Sequence, residues 1–379
     1  MLNIVKGPYL QWPTQDSIKV MWETSQPASS TVTYSRTQRV HSGLSGGFHT
    51  LEDSERKVEG DGGTEFHTVR LDNLDPETTY HYQVISTGED GDETSSQVYP
   101  LQTAVREETP FSFAVTSETG GFGSDDFNRQ IFEQISRYRP NFLLIPGDSV
   151  SRGSRYEDWS RYLFNPGRTL FTTTPFYLCQ GNHEENSPWY YRFTSFPEPG
   201  NYYSFDYGNT HFTALDSTAF IEYRDGKPIP REELKPGSAQ YEFLADDLAK
   251  TEETGQTWKV VYFHYPPYVS GDYQVEEMKA LSPVMERHGV DLVFNSHTIV
   301  YERSHPLRAN RLDEKSGIIY IVAGGAGAKH DWFHHKQSWH TAKSLAVPHF
   351  LQVIIAGGTL ELHAIDLNGQ LFDTLKLTK

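Results

Sequence analysis

An all-β sandwich followed by a layered α/β domain is the fold the sequence predicts, and three observations lead to it. Up to about residue 104, short segments carry apolar residues at every second position and are broken by Gly, Ser, Asp and Pro, as strands and turns require. From Phe111 onward, short continuous apolar runs alternate with stretches of helical period, the pattern of buried strands interleaved with helices. Between the two regimes, residues 105–110 are charged, lack periodicity and end in Pro110, which marks a linker between domains 1–104 and 111–379. A chain of 379 residues also exceeds what one small core organises.

In the first domain, strands are expected at residues 17–22, 30–34, 66–71, 80–85 and 97–103, and Pro8, Tyr9 and Leu10 open the pattern almost at Met1. Tyr80, Tyr82 and Val84 alternate onto one face just after Leu74, Asp75 and Pro76, and this stretch resembles the turn and strand of a fibronectin type III domain. Residues 41–63, rich in Gly, Ser and charge, read as a long exposed loop. In the second domain, buried strands are expected at residues 111–116, 142–145, 176–179, 260–263, 292–294 and 318–322. One helix follows from Phe127, Ile131, Ile135 and Tyr138 behind a cap at Ser124, and another from Leu281, Val284, Met285 and His288 before Gly289. The end of the chain returns to strands at residues 349–355, 360–365 and 371–377, read as finishing a second sheet.

Charge excludes whole classes of partner. With 33 basic and 50 acidic residues the chain carries −17, which repels nucleic acid and anionic membrane. No run of about 18 apolar residues is present, so no membrane-spanning helix is expected. Cys179 stands alone, which rules out an intramolecular disulfide, and its apolar setting reads as a buried structural thiol. No basic-then-apolar leader precedes the first strand, so the chain is cytoplasmic as it stands, or exported if a leader has been removed. No pattern specifies an oligomeric state.

Five short polar blocks punctuate the chain, each just past an apolar run: Glu118-Thr119-Gly120, Gly147-Asp148-Ser149, Gly181-Asn182-His183-Glu184, His264, and Ser296-His297-Thr298-Ile299. Open α/β sheets gather the loops beyond the carboxyl ends of their strands, so residues far apart in sequence converge there. Asp148, Asn182, His264 and His297 together offer the carboxylate, amide and imidazole donors that a hard or borderline metal takes. In this order the blocks resemble the metal-binding signature of the purple acid phosphatases, within the calcineurin-like metallophosphoesterases. Linking phrases at residues 155–159, 202–208, 264–268 and 300–303 extend the resemblance over the whole chain. It implies a four-layer metallophosphoesterase sandwich behind the fibronectin type III-like domain, with a pair of metal ions clamping a phosphoryl group.

Carried over position by position, Asp148, Asn182, His264 and His297 match the full ligand set of the family's second metal, with Asp148 normally bridging both ions. The first metal loses its partners: Glu118 replaces an Asp and remains a weak ligand, Ser151 replaces a Tyr, and Ile299 replaces a His. The missing Tyr implies a protein that is not purple. His183 matches the family's general acid, a role that suits an imidazole. Arg152, beside the vacant Tyr position, is a candidate cation for gripping a phosphate or carboxylate. His330, Trp332, His334, His335, Trp339 and His340 follow the turn Gly324-Gly325-Ala326-Gly327 and read as pocket lining, as substitute ligands or as a surface loop. The expectation is one divalent or trivalent ion per chain, zinc, manganese or iron, in an atypical hydrolase acting on a small phosphorylated or carboxylated substrate. Two alternatives stand beside it: a metalloenzyme redirected to non-hydrolytic chemistry with one Lewis-acid metal, and a non-catalytic ligand-binding pseudophosphatase.

Overall fold

The computed structural model describes residues 1–36, 56–121, 125–333 and 337–379. The expected cap Ser124, residues 41–55 of the stretch expected as a loop, and His334 and His335 lie outside the described residues. In the amino-terminal part, strands Ile4–Gln11, Ile18–Ala28 and Thr64–Leu71 form one antiparallel sheet, and Thr31–Ser35, Thr79–Thr87 and shorter partners form the other. Trp22, Val32, Tyr82 and Val84 fill the space between them, each on the inward face its alternation assigns. Within the stretch 41–63 expected as a loop, Arg56–Glu59 pairs with Thr31–Tyr34 as an edge strand. Its charged residues made it read as loop; on a sheet edge, exposed charge is what keeps other chains from pairing.

The second part has four layers. Parallel strands Phe111–Val115, Phe142–Ile145 and Phe176–Leu178 form the heart of a six-stranded sheet. Thr210–Ala214, Trp258–Tyr262, Leu292–Asn295 and Ile319–Ala323, also mutually parallel, form the heart of a seven-stranded one. The two sheets face each other across a core that includes Phe113, Phe142, Phe212, Phe294 and Leu351. Helix Asp125–Tyr138 covers the outside of the first sheet with Ile131, Phe132 and Ile135. Helix Ala239–Thr254 covers the second with Leu244 and Leu248, and stops at Gly255, whose φ of 71° suits the left-handed cap. The carboxy-terminal strands do not finish the sheet of Leu292–Asn295. Instead His349–Ala356 runs antiparallel to Phe111–Val115 and extends the sheet that opens the domain. No helix among the described residues is long and apolar enough to cross a membrane.

The two parts are joined through a shared interior. Tyr9 and Met21, from the sandwich, belong to the same apolar cluster as Phe164, Phe176 and Phe193. Beside them Lys6 and Glu23 form a 2.7 Å ion pair whose side chains are only 2% and 8% exposed. Tyr156 from the second part closes over it, with its hydroxyl donating to Glu23 at 2.5 Å and its ring 3.5 Å from the Lys6 ammonium.

Candidate metal centre

Each of the five polar blocks leaves the carboxyl end of a parallel strand, three from one sheet and two from the other, so they meet over the seam between the sheets. The loops turn sharply: Glu118, Asp148 and His297 all have left-handed backbone, with φ of 63°, 54° and 67°. Gly147, at φ 91°, is required by crowding as well, since a Cβ there would lie 2.7 Å from the Gly181 nitrogen and 2.9 Å from His264 Nδ1.

Four donors come together. His264 Nδ1 donates to the Pro146 carbonyl at 3.0 Å, which turns Nε2 toward the cleft. From Nε2 it is 3.0 Å to Asn182 Oδ1, 3.2 Å to Asp148 Oδ2 and 3.2 Å to His297 Nδ1. Asp148, His264 and His297 keep their ligand atoms within 4.8 Å of one another. A single Nε2 proton cannot serve Asn182 Oδ1 and Asp148 Oδ2 fully at once, whereas a cation at the centre takes an electron pair from all four groups. The donor set therefore fits a metal ion.

The electrostatics say the same. Burial works against His264, but Asp148, Glu118 and Glu184 outweigh it and raise its pKa to about 9. Burial also opposes ionisation of Asp148, yet His264 holds it down to about 2. His297 falls to about 3, first through burial and then through repulsion by His264. Burial, reinforced by Asp148, pushes Glu118 up to about 8. A proton on His264 thus supplies the positive charge that these carboxylates call for and that a metal would replace.

The other candidates go elsewhere. Glu118 directs Oε1 to the neighbouring loop, where it accepts from the His297 amide at 2.7 Å and the Ser296 hydroxyl at 2.5 Å. The Ser151 hydroxyl accepts from the Gly121 amide at 2.6 Å. Ile299 lines the cleft with hydrocarbon, and its amide donates to Asp331 at 2.7 Å. His183 Nδ1 donates to the Ser151 carbonyl at 2.7 Å, leaving Nε2 facing Asp148 Oδ2 at 4.0 Å. Arg152 is exposed, its amide is tied to Asp158, and it lines neither cavity of the cleft. Of the later stretch, His340 is buried against Tyr268, and Trp332 is 82% exposed. Neither joins the donor cluster.

Residues 111–301 match the family model described as calcineurin-like phosphoesterase. The chain belongs to the calcineurin-like phosphoesterases. Residues 5–103 match the purple acid phosphatase amino-terminal domain. Among curated relatives, probable purple acid phosphatase 20 of Arabidopsis thaliana is 26% identical, over 82% of this chain and 71% of its own length. Purple acid phosphatase 18 of the same plant is 27% identical, over 82% and 68%. Among solved structures, a purple acid phosphatase from yellow lupin (Lupinus luteus) seeds shares the fold with a TM-score of 0.79 at 19% identity, covering 98% of this chain and 74% of its own. A structure of PhoD follows at TM-score 0.67 and 13% identity, over 100% and 93% of the two chains.

This phosphoesterase has site residues that sequence reasoning passed over. Glu184 is fully buried and accepts from the amides of Asp148, Ser149 and Gly181 at 2.9, 2.6 and 2.7 Å, clamping the loops of Asp148 and Asn182 together. Its place in the Gly-Asn-His-Glu block was the available signal. Lys329 and Asp331 line a cavity of about 390 Å³ with Glu118, Asp148, His183 and Ile299. Tyr223 touches His297 Nε2 through its hydroxyl at 3.1 Å. Lys329 and Asp331 flank His330 in the stretch after Gly324-Gly325-Ala326-Gly327, where the His and Trp residues are the signal, whereas no local pattern marks Tyr223.

Proposed function

We propose that the chain hydrolyses phosphate monoesters with a single metal ion held by Asp148, Asn182, His264 and His297. The observation that carries this reading is the contrast around Asp148: four donors share one centre, while Glu118 and Ser151 are engaged with neighbouring backbone and Ile299 has nothing to donate. A metal ion there supplies Lewis-acid charge to a phosphoryl oxygen and acidifies nearby water. The remaining work falls to side chains. His183, locked at Nδ1 by the Ser151 carbonyl, presents Nε2 to the cavity and donates the proton that the departing alkoxide or phenoxide needs. Lys329 supplies positive charge in the half of the cleft that corresponds to the family's first metal, and so offsets charge on the phosphoryl oxygens. Metal analysis of the purified protein is expected to give one tightly held equivalent, with hydrolysis of an aryl phosphate lost on chelation and restored by zinc, manganese or iron. Two tightly held equivalents, or hydrolysis insensitive to chelation, would overturn this reading.

A further inference from the structure

A second and larger cavity of about 680 Å³ adjoins the metal corner, sharing Asn182, His297 and Tyr273 with the first. Its size is that of a site for a whole small molecule rather than a phosphate alone. Two tyrosines of its wall are open to it: Tyr223 is 37% and Tyr273 54% exposed, and both rings pack against His297, with centroids 5.9 and 5.4 Å away. Tyr273 holds a left-handed backbone with φ 69°, an unfavourable state for an aromatic residue in an ordinary loop.

The charged groups of this wall differ in how far they are already committed. Asp216 accepts from Asn201, Thr218 and Ala219, and Glu185 from the Ser154 amide. Glu222 is bound twice by Arg224, at 2.9 and 3.1 Å. Arg231 is different. Its nearest acidic oxygen is that same Glu222, 3.9 Å from Nε, and its guanidinium makes no hydrogen bond among the described residues. A planar, half-exposed cation with unused donors, lining the same cavity as two exposed aromatic rings, is an arrangement that can bind an anion on a flat molecule.

We infer that this lobe reads the leaving group of the substrate: a planar or aromatic body lying against Tyr223 and Tyr273, bearing a second anionic group, carboxylate or phosphate, that Arg231 binds. The inference rests on the hydrolase reading for its placement beside the metal. The substrate is then an ester anionic at both ends, its phosphoryl group at the metal and its other charge across the larger lobe.

The test compares 3-carboxyphenyl phosphate and 1,3-phenylene bisphosphate with phenyl phosphate on the metal-loaded full chain. The doubly anionic esters are expected to show kcat/KM at least about tenfold higher, through KM. Whichever of the two shows the larger gain identifies the second group. Arg231→Met is expected to bring the ratio close to one with kcat held, and Arg231→Lys to keep part of the preference. Equal kcat/KM for all three esters, or a preference untouched in Arg231→Met, overturns the inference. Calorimetry with 3-carboxyphenylphosphonate and phenylphosphonate, which are not hydrolysed, separates the two readings. If no ester turns over, tighter binding of the carboxylated phosphonate that Arg231→Met abolishes upholds the lobe while the hydrolase reading fails; equal affinities sink the lobe itself.

Discussion

On one side of Asp148, the side chains of Asn182, His264 and His297 point at a common centre. On the other, Glu118 and Ser151 are turned onto neighbouring amides and Ile299 offers only hydrocarbon. Both halves are built on strand ends of the same two sheets. What separates them is how much donor capacity is left: Glu118 Oε1 and the Ser151 hydroxyl already hold neighbouring groups of the protein, and Ile299 has no donor at all. A third cluster sharpens the lesson. His211 has Asp206 at 2.7 Å on Nδ1 and Asp247 at 2.9 Å on Nε2, while Ser204 and Thr213 occupy the rest of Asp247. It contains the residue types of a metal site, yet its imidazole has no free nitrogen, so it is an internal salt bridge.

The strongest challenge to the comparison is removal of a donor from the convergent half. His264→Ala is expected to abolish the tightly bound metal and to lower hydrolysis about a thousandfold or more, read by elemental analysis and single-substrate kinetics. Next comes conversion of the other half. Glu118→Asp, Ser151→Tyr and Ile299→His together should add a second metal equivalent and raise phosphomonoester turnover by about a hundredfold. Each single change should do little, because one added donor does not close a coordination sphere. A triple variant that binds two ions and gains no activity would mean that the pocket serves non-hydrolytic chemistry.

The saturated cluster makes a prediction in pH rather than in metal. Burial alone would lower His211, but Asp206 and Asp247 raise its folded pKa to about 9, above the ordinary 6.5 of the unfolded chain. The stability it contributes is therefore complete below about pH 6.5 and is lost as pH rises through about 9. A shift of that size corresponds to about 3 kcal/mol. Chemical denaturation across that range should show the decline, and His211→Gln should flatten it without changing metal content. The smallest expected effect belongs to Lys329. Replacing it with Met should raise KM for an aryl phosphate about tenfold, leave the metal in place and weaken the salt dependence of binding.

Much of this was legible in the sequence because the polar blocks are local: a strand end and the turn after it lie within a few residues, as in Ile145 to Asp148. Residues that reach the cleft from elsewhere were not. Arg152 was drawn in by its adjacency to Ser151, but the chain turns there and leaves its side chain in solvent. Of the cations lining the cleft, Lys329 lies in the stretch after Gly324-Gly325-Ala326-Gly327 that only its His and Trp residues mark, and Arg231 comes from a segment with no motif at all. The sheet order was hidden for a related reason. His349–Ala356 pairs with Phe111–Val115, a partner more than two hundred residues away, and no local pattern specifies such a pairing.

The buried Lys6–Glu23 pair and the sharing of Tyr9 with the catalytic core bear on how this protein can be handled. Trimming the first hundred residues would not release a tidy catalytic unit. It would leave the Tyr156 hydroxyl without its acceptor and uncover Phe164, Phe176 and Phe193, a greasy face inviting aggregation. Grafting the sandwich onto another enzyme would carry an ammonium with no aromatic lid into its new setting. The two domains are distinct in architecture yet were fitted as one object, and experiments that treat them as interchangeable modules will be measuring that seam.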